Sequence, residues 1–269
     1  MLGRNRIATL VLATLIGPGL AAGTAAAKTT LTTDVSTNWA GYAVTGGATT
    51  SFASVSGSWV VPKATCTAGS TADAAFWVGL GGYDDNAQGL EQVGTESRCN
   101  AAGTTTYTVW YEILPAAAVS TKLAVRAGDT VTSSVTVTGH TVTVRVTDLT
   151  RKTSFVKTLA ASSIDVSSAE WIAEAPSVCD GRGFCRTVAL ANFGKVTFTK
   201  AAATAGGHTG AIGDRAWTAT AIELRSSGGP GPFAAYTASA DAVPGSLSSD
   251  GSSFSVTWRQ STASQPLRP

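Results

Sequence analysis

The chain has 269 residues, 43% of them hydrophobic and 13% charged, with a formal net charge of +2. So mild a balance excludes the dense basic surface that nucleic acid or an anionic membrane selects. Four cysteines and two histidines leave little room for a metal site, because no C-x₂-C spacing is present and no histidine neighbours a cysteine.

Residues 1–27 have the three-part build of a secretory signal: Arg4 and Arg6, an apolar stretch from Ile7 to Leu20, then small residues ending at Ala27. The apolar stretch holds Gly17 and Pro18 and is shorter than the ~20 residues a spanning helix needs, so a permanent anchor is the weaker reading. Removing the signal takes away two arginines and no acid, which leaves 17 basic against 17 acidic residues. A secreted, extracellular monomer is expected, with no nucleic-acid partner and no membrane partner after cleavage.

From there the chain alternates apolar and polar residues with period two, and Thr, Val and Ser dominate, as in half-buried strands. Strands are expected at Asn38–Val44, Ser54–Val61, Ala74–Leu80, Leu90–Gly94 and Thr105–Ile113. Thr130–Asp148 is expected to form a hairpin turning at Gly139-His140, and further strands follow at Ser154–Ala160, Ala169–Glu174, Gly194–Lys200, Ala221–Leu224 and Phe254–Trp258. A dozen short strands without an amphipathic helix predict an all-β fold of two packed antiparallel sheets or a barrel. One domain over residues 28–262 is expected, with Ser226–Phe233 as an internal loop and 263–269 as a frayed tail. Cys66, Cys99, Cys179 and Cys185 suit two disulfides in an exported protein; Cys179–Cys185 with Cys66–Cys99 is the preferred of three pairings, since the former closes a short turn.

The common catalytic constellations are absent from the sequence. His140 falls in the hairpin turn and His208 in a Gly-rich loop, where solvated histidines are ordinary, and no G-x-S-x-G elbow or H-E-x-x-H helix accompanies them. Neither an Asp-Thr/Ser-Gly pair nor a phosphate-cradling glycine loop occurs, so no cofactor is expected. What remains is Ser168–Glu174, where period two puts Glu170, Ile172 and Glu174 on one face and Trp171 with Ala173 on the other. Taken alone, that face reads as solvent-exposed; held in a groove, its acids would have raised pKa values.

Seven stretches in order resemble the glutamic peptidases, or eqolisins, of fungi and their bacterial relatives. They are Asn38-Trp39-Ala40-Gly41, Gly57-Ser58-Trp59-Val60-Val61-Pro62, Phe76-Trp77-Val78-Gly79-Leu80, Leu90-Glu91-Gln92-Val93-Gly94, Trp110-Tyr111-Glu112, Ala169-Glu170-Trp171-Ile172-Ala173-Glu174 and Asn192-Phe193-Gly194-Lys195-Val196-Thr197-Phe198. The resemblance implies a sandwich of two large antiparallel sheets, concanavalin-like in architecture, with a polypeptide substrate lying across one concave sheet. It implies a pepstatin-insensitive acid endopeptidase with Glu174 and Gln92 as the catalytic pair. Trp77, Trp110, Glu112 and Glu170 are then substrate-side neighbours, and Glu112 and Glu96 are candidate supports of the pair. Chemically, a carboxyl can take a proton from water and return it to the leaving amine, while a glutamine amide can face the oxyanion. A glutamate near its ordinary ~4–5 would confine activity to acid.

The chain departs from that family at three places. The family's W-V-G-I-D-G becomes Trp77-Val78-Gly79-Leu80-Gly81-Gly82, which loses an aspartate that Asp84 or Asp85 is expected to replace. W-Y-E-W-Y-P becomes Trp110-Tyr111-Glu112-Ile113-Leu114-Pro115, and A-D-F-G becomes Ala191-Asn192-Phe193-Gly194. The rival expectations are a carbohydrate- or surface-binding module of the same architecture, or a homologue impaired at Gly81 and Leu114.

Overall fold

The computed structural model of the chain describes residues 30–84, 87, 89–179, 185–225 and 240–261, and of Cys179 and Cys185 only the strand placement. The signal segment, the Ser226–Phe233 loop, Asp85 and the tail at 263–269 lie outside the described residues. Among those described, the regular structure is entirely β, as the period-two patterning requires.

In chain order the strands are β1 (Leu31–Ser36), β2 (Trp39–Thr45), β3 (Phe52–Val60), β4 (Ala72–Leu80), β5 (Glu91–Cys99), β6 (Thr105–Ile113) and β7 (Val119–Ser120). Then come β8 (Thr130–Thr138), β9 (Thr141–Asp148), β10 (Thr153–Ala160), β11 (Ser168–Glu174), β12 (Ser177–Cys179) and β13 (Cys185–Thr187). The last five are β14 (Lys195–Ala205), β15 (His208–Ala211), β16 (Thr218–Leu224), β17 (Ala240–Pro244) and β18 (Phe254–Gln260). The expected strands all form, and β8 and β9 pair around Gly139-His140 as a hairpin. The short strands β1, β7, β12, β13, β15 and β17 were not expected, because too few residues alternate in them to be legible. His208, expected in a loop, opens β15, and its Nε2 lies 2.9 Å from Asp214 Oδ2.

Two layers result. One runs β1-β16-β2-β11-β4-β5-β6-β7 and the other β10-β9-β8-β3-β14, with β17 and β18 continuing the hydrogen bonding between them. The corner lies in β14: Lys195–Phe198 pair with β18, and from Thr199 onward the strand pairs with β3. A register shift between Thr199 and Ala202 and a positive φ of 51° at Lys200 mark the bend, as an irregularity that re-aims a strand does.

The core lies between the layers. Trp171, Val78, Val93 and Tyr42 from the first pack with Trp59, Val55, Val135 and Val144 of the second, all almost fully buried. Each such side chain contributes about 1.5–3 kcal/mol of burial. Two indole donors are satisfied across the layers, Trp171 Nε1 to Ser56 O at 2.7 Å and Trp59 Nε1 to Thr95 Oγ1 at 2.9 Å. A disulfide joins Cys66 to Cys99 at the end of β5. Cys179 and Cys185 are register partners in the β12–β13 pair.

Candidate active site

The face of the first layer turned away from the core carries a second, smaller apolar cluster of Ala43, Ala75, Trp77, Leu90, Trp110, Ile172 and Ile222. Alternation puts Glu170 and Glu174 of β11, Gln92 of β5 and Glu112 of β6 on this same face. The register is explicit. Gln92 stands opposite Glu112 on one side and Gly79 on the other, Gly79 stands opposite Glu170, and Glu174 stands opposite Ala75 on β4 and Trp39 on β2. The face expected to be open to solvent is therefore not so: Glu170 is fully buried. Ser168, Glu91 and Asp165 from the segment before β11 stand near it, a setting that period two alone cannot foretell.

Glu174 is held by two donors. Asn38 Nδ2 donates to Oε1 at 3.1 Å and Trp77 Nε1 to Oε2 at 2.8 Å. Asn38 is itself oriented by Ser36, whose hydroxyl donates to Asn38 Oδ1 at 3.1 Å and thereby turns the amide NH₂ toward Glu174. The residue keeps a partial opening to solvent, yet its carboxyl lies deep enough that burial pushes it up to about 7; the Trp77 N–H opposes that rise and the Glu112 charge adds to it. The ordinary value expected from sequence is corrected accordingly.

Gln92 is buried, donates Nε2 to Glu112 Oε2 at 2.7 Å, and keeps its Oε1 without a partner. Burial raises Glu112, and the Gln92 amide opposes that rise. Trp77 fills the rung between the two polar residues: its indole N–H reaches Glu174, and its ring edge passes so close to Gly79 that a Cβ there would stand 2.9 Å from Cζ3. Trp39 meets Trp77 edge-on with centroids 5.0 Å apart. Trp110 is 8% exposed with its Nε1 unpartnered. Beside the Glu174 carboxyl, this face thus holds buried polar atoms without a partner at Gln92 Oε1, Trp110 Nε1 and the Glu170 carboxyl. Glu96 is engaged elsewhere, accepting Arg98 Nη2 at 3.0 Å and Thr108 Oγ1 at 3.3 Å.

At Gly81 the structure answers the missing aspartate with a residue that sequence reasoning did not select. Gly81 has φ 78°, and a side chain there would run into Asp165, whose Cβ and carbonyl oxygen lie 2.5 Å from the position of an added Cβ. Asp165 comes from the segment before β11, and its Oδ2 accepts the Gly82 N–H at 3.3 Å. Asp165 is therefore an acid placed against Gly81 and Gly82; Asp85 lies outside the described residues. No local signal could have found it, since 84 residues separate it from Gly81.

Asp165 completes a group with Glu91 and Glu170. Glu91 and Glu170 are fully buried, and none of their four carboxyl oxygens has a hydrogen-bond partner. Burial pushes Glu91 up to about 8 and Glu170 well above the usual range, and the Asp165 charge raises both. The Asp165 backbone N–H faces Glu91 and pulls the other way without closing a well-formed hydrogen bond. Among the described residues no cluster of His, Cys, Asp or Glu has the arrangement of a metal site. A surface cleft of about 430 Å³ on the other layer, lined in part by Lys63, Lys195, Thr197 and Thr199, holds no acid and no histidine.

A family model described as the Peptidase A4 family matches residues 37–243. Aspergillopepsin-2 of Aspergillus niger is 29% identical over 220 residues, 72% of each chain. Scytalido-glutamic peptidase, solved with a transition-state analogue inhibitor, superposes with a TM-score of 0.66 at 26% identity, covering 82% of this chain and 98% of that one. Aspergilloglutamic peptidase of Aspergillus niger superposes with a TM-score of 0.54 at 29% identity over 69% and 98% of the two chains.

Proposed function

The chain belongs to the peptidase A4 family, the glutamic peptidases or eqolisins, and from that premise we propose that it is a secreted acid endopeptidase with Glu174 and Gln92 as its catalytic pair. The observation that carries the reading is the state of Glu174: a carboxyl pushed up to about 7, fixed by Asn38 and Trp77, on one face with a glutamine whose buried Oε1 is unpartnered.

In acid Glu174 starts with its proton. As water attacks the scissile carbonyl carbon, the carboxyl passes its proton to the carbonyl oxygen and takes one from the water on its other oxygen, giving a neutral gem-diol. Glu174 then gives a proton to the amide nitrogen and recovers one from a diol hydroxyl as the C–N bond breaks, which leaves a carboxylic acid, an amine and the starting form of the enzyme. Gln92 contributes from both ends of its amide: Oε1 accepts from the attacking water, and Nε2 turns from Glu112 to the oxygen on which charge develops. Trp77 and Asn38 hold Glu174, while Trp110 and Glu112 border the peptide. Glu170 acts from beneath this surface. The reading includes a Cys179–Cys185 bond and a single mature domain starting after residue 27.

Cleavage of casein from pH 2 to 8 by the wild type, Glu174→Gln and Gln92→Ala tests the pair. Acid activity that both substitutions leave intact would refute it. Activity is expected to withstand pepstatin and chelators and to fall as pH rises through about 7, where Glu174 loses its proton. Intact-mass analysis of the secreted form checks the start of the mature chain.

A further inference from the structure

One aromatic on the concave face belongs to none of the family stretches. Tyr83 follows Gly81-Gly82 at the end of β4, packs against the Trp77–Ile172–Ile222 cluster, and donates its hydroxyl to Asp34 Oδ2 at 3.2 Å. Asp34 sits on β1, opposite Ile222 of β16, and β1 is the edge strand of this layer. It also lies before residue 37, where the family match begins. Counting across the sheet, β1 is the fourth strand from β4, about 19 Å at the usual spacing. To make that bond the Tyr83 segment must lean over β11, β2 and β16. The surface beneath it, Gly41, Ala43 and Ile222, is low enough to receive a ring.

The concave face is therefore unequal on its two sides. Toward β5 and β6 it presents Gln92, Trp110 and Glu112, whereas toward β16 and β1 it is roofed by a phenol tied to the edge strand. We propose that Tyr83, tethered by Asp34, is a specificity-determining residue: it closes the β16 side of the groove and limits how many peptide residues bind there. This rests on the reading of the face as a peptide groove. An aromatic ring suits the task, because it covers a large area at small entropic cost and its hydroxyl fixes its position.

The test uses peptides with one scissile bond, lengthened residue by residue on either side. For the wild type, kcat/KM stops rising early on one side only. Tyr83→Ala restores the gain from length on that side, by about tenfold for the longest peptides, and leaves the other side unchanged. Tyr83→Phe and Asp34→Ala, which loosen the tether and keep a side chain or a ring in place, move the same way by about threefold. They also decide the matter if Tyr83→Ala does not fold. Changes equal on both sides, or none, overturn the proposal. The same series as uncleavable reduced-amide peptides is measured by calorimetry. If the wild type cleaves nothing at any pH the catalytic reading fails, and a one-sided gain in affinity still supports the tether while its absence overturns it.

Discussion

Two groups of buried acids share this sandwich and are treated in opposite ways. Asp129 and Asp148, where β8 begins and β9 ends, meet Arg151 at 2.9 and 3.8 Å, and backbone N–H groups of Arg126, Thr150 and Arg151 fill further lone pairs, which leaves Asp148 Oδ2 with the ion pair but no hydrogen bond. Glu91 and Glu170 are as deeply buried and face Asp165; among the described residues no cation meets them and no well-formed hydrogen bond reaches their carboxyl oxygens, although Ser168 opposes the rise at Glu170 and the Asp165 N–H that at Glu91. A buried acid that supports a fold is normally satisfied, since leaving it empty costs several kcal/mol if it is charged. The unsatisfied group lies against the rungs that carry Gln92 and Gly79. Burial resolves the contrast: the first group is held at its corner by an arginine and backbone donors, while Glu91 and Glu170 have their pKa raised by burial. Glu174 is intermediate, with two donors and a raised pKa, as the proton transfer proposed for it requires.

The largest effect that separates the groups is on rate. Glu174→Gln is expected to lower kcat/KM at pH 4 by about 10²–10⁴-fold, and Gln92→Ala by about 10²–10³-fold. Circular dichroism should show both variants folded, whereas substitutions around Arg151 should leave kcat unchanged. A loss of rate explained by unfolding would break the comparison.

Next is the response of stability to pH. Glu91 and Glu170 have raised folded-state values, so the stability they permit is complete below the unfolded ~4.3 and is lost as pH rises toward the folded value, about 8 for Glu91. Urea midpoints should fall across that window in the wild type. In Glu91→Gln/Glu170→Gln they should stay level, leaving the variant more stable at pH 7 by on the order of 2 kcal/mol. Equal slopes for the two proteins would show that the cluster carries its charge folded.

Arg151→Met should destabilise by about 1–3 kcal/mol at pH 7, because it takes the cation from Asp129 and Asp148. Thermal unfolding at that pH measures it. The smallest effect concerns Trp77→Phe. Losing the indole N–H removes a donor that favours the Glu174 carboxylate, so its pKa rises and the falling limb of kcat/KM moves up by less than about one pH unit. A downward shift would mean that the Trp77 N–H does not favour the Glu174 carboxylate.

These contrasts were unevenly legible in the sequence. Glu174 and Gln92 could be named because their strands carry ordered motifs, and the two faces of Ser168–Glu174 followed from period two. Whether the acid-bearing face met solvent could not be read there, because Glu170 is covered by residues of other strands and of the loop before β11. Asp165 was missed at Gly81 for a related reason. Its place depends on a loop from elsewhere in the chain reaching the end of β4, whereas Asp84 is close in sequence. Tyr83 carried no signal at all, since its partner lies on a strand too short and polar to be recognised.

Alternation of side chains is a property of each strand by itself, so the sequence alone determined that this protein is all-β and which residues share a face, while the resemblance of its ordered motifs implied the sandwich and the peptidase family. Strand order and register bring together residues as distant as Asp34 and Tyr83, or Gly81 and Asp165, and they arise from the packing of the whole sheet. Only the tertiary structure could therefore decide which acids are satisfied, which have their pKa raised by burial, and which aromatic reaches the edge strand.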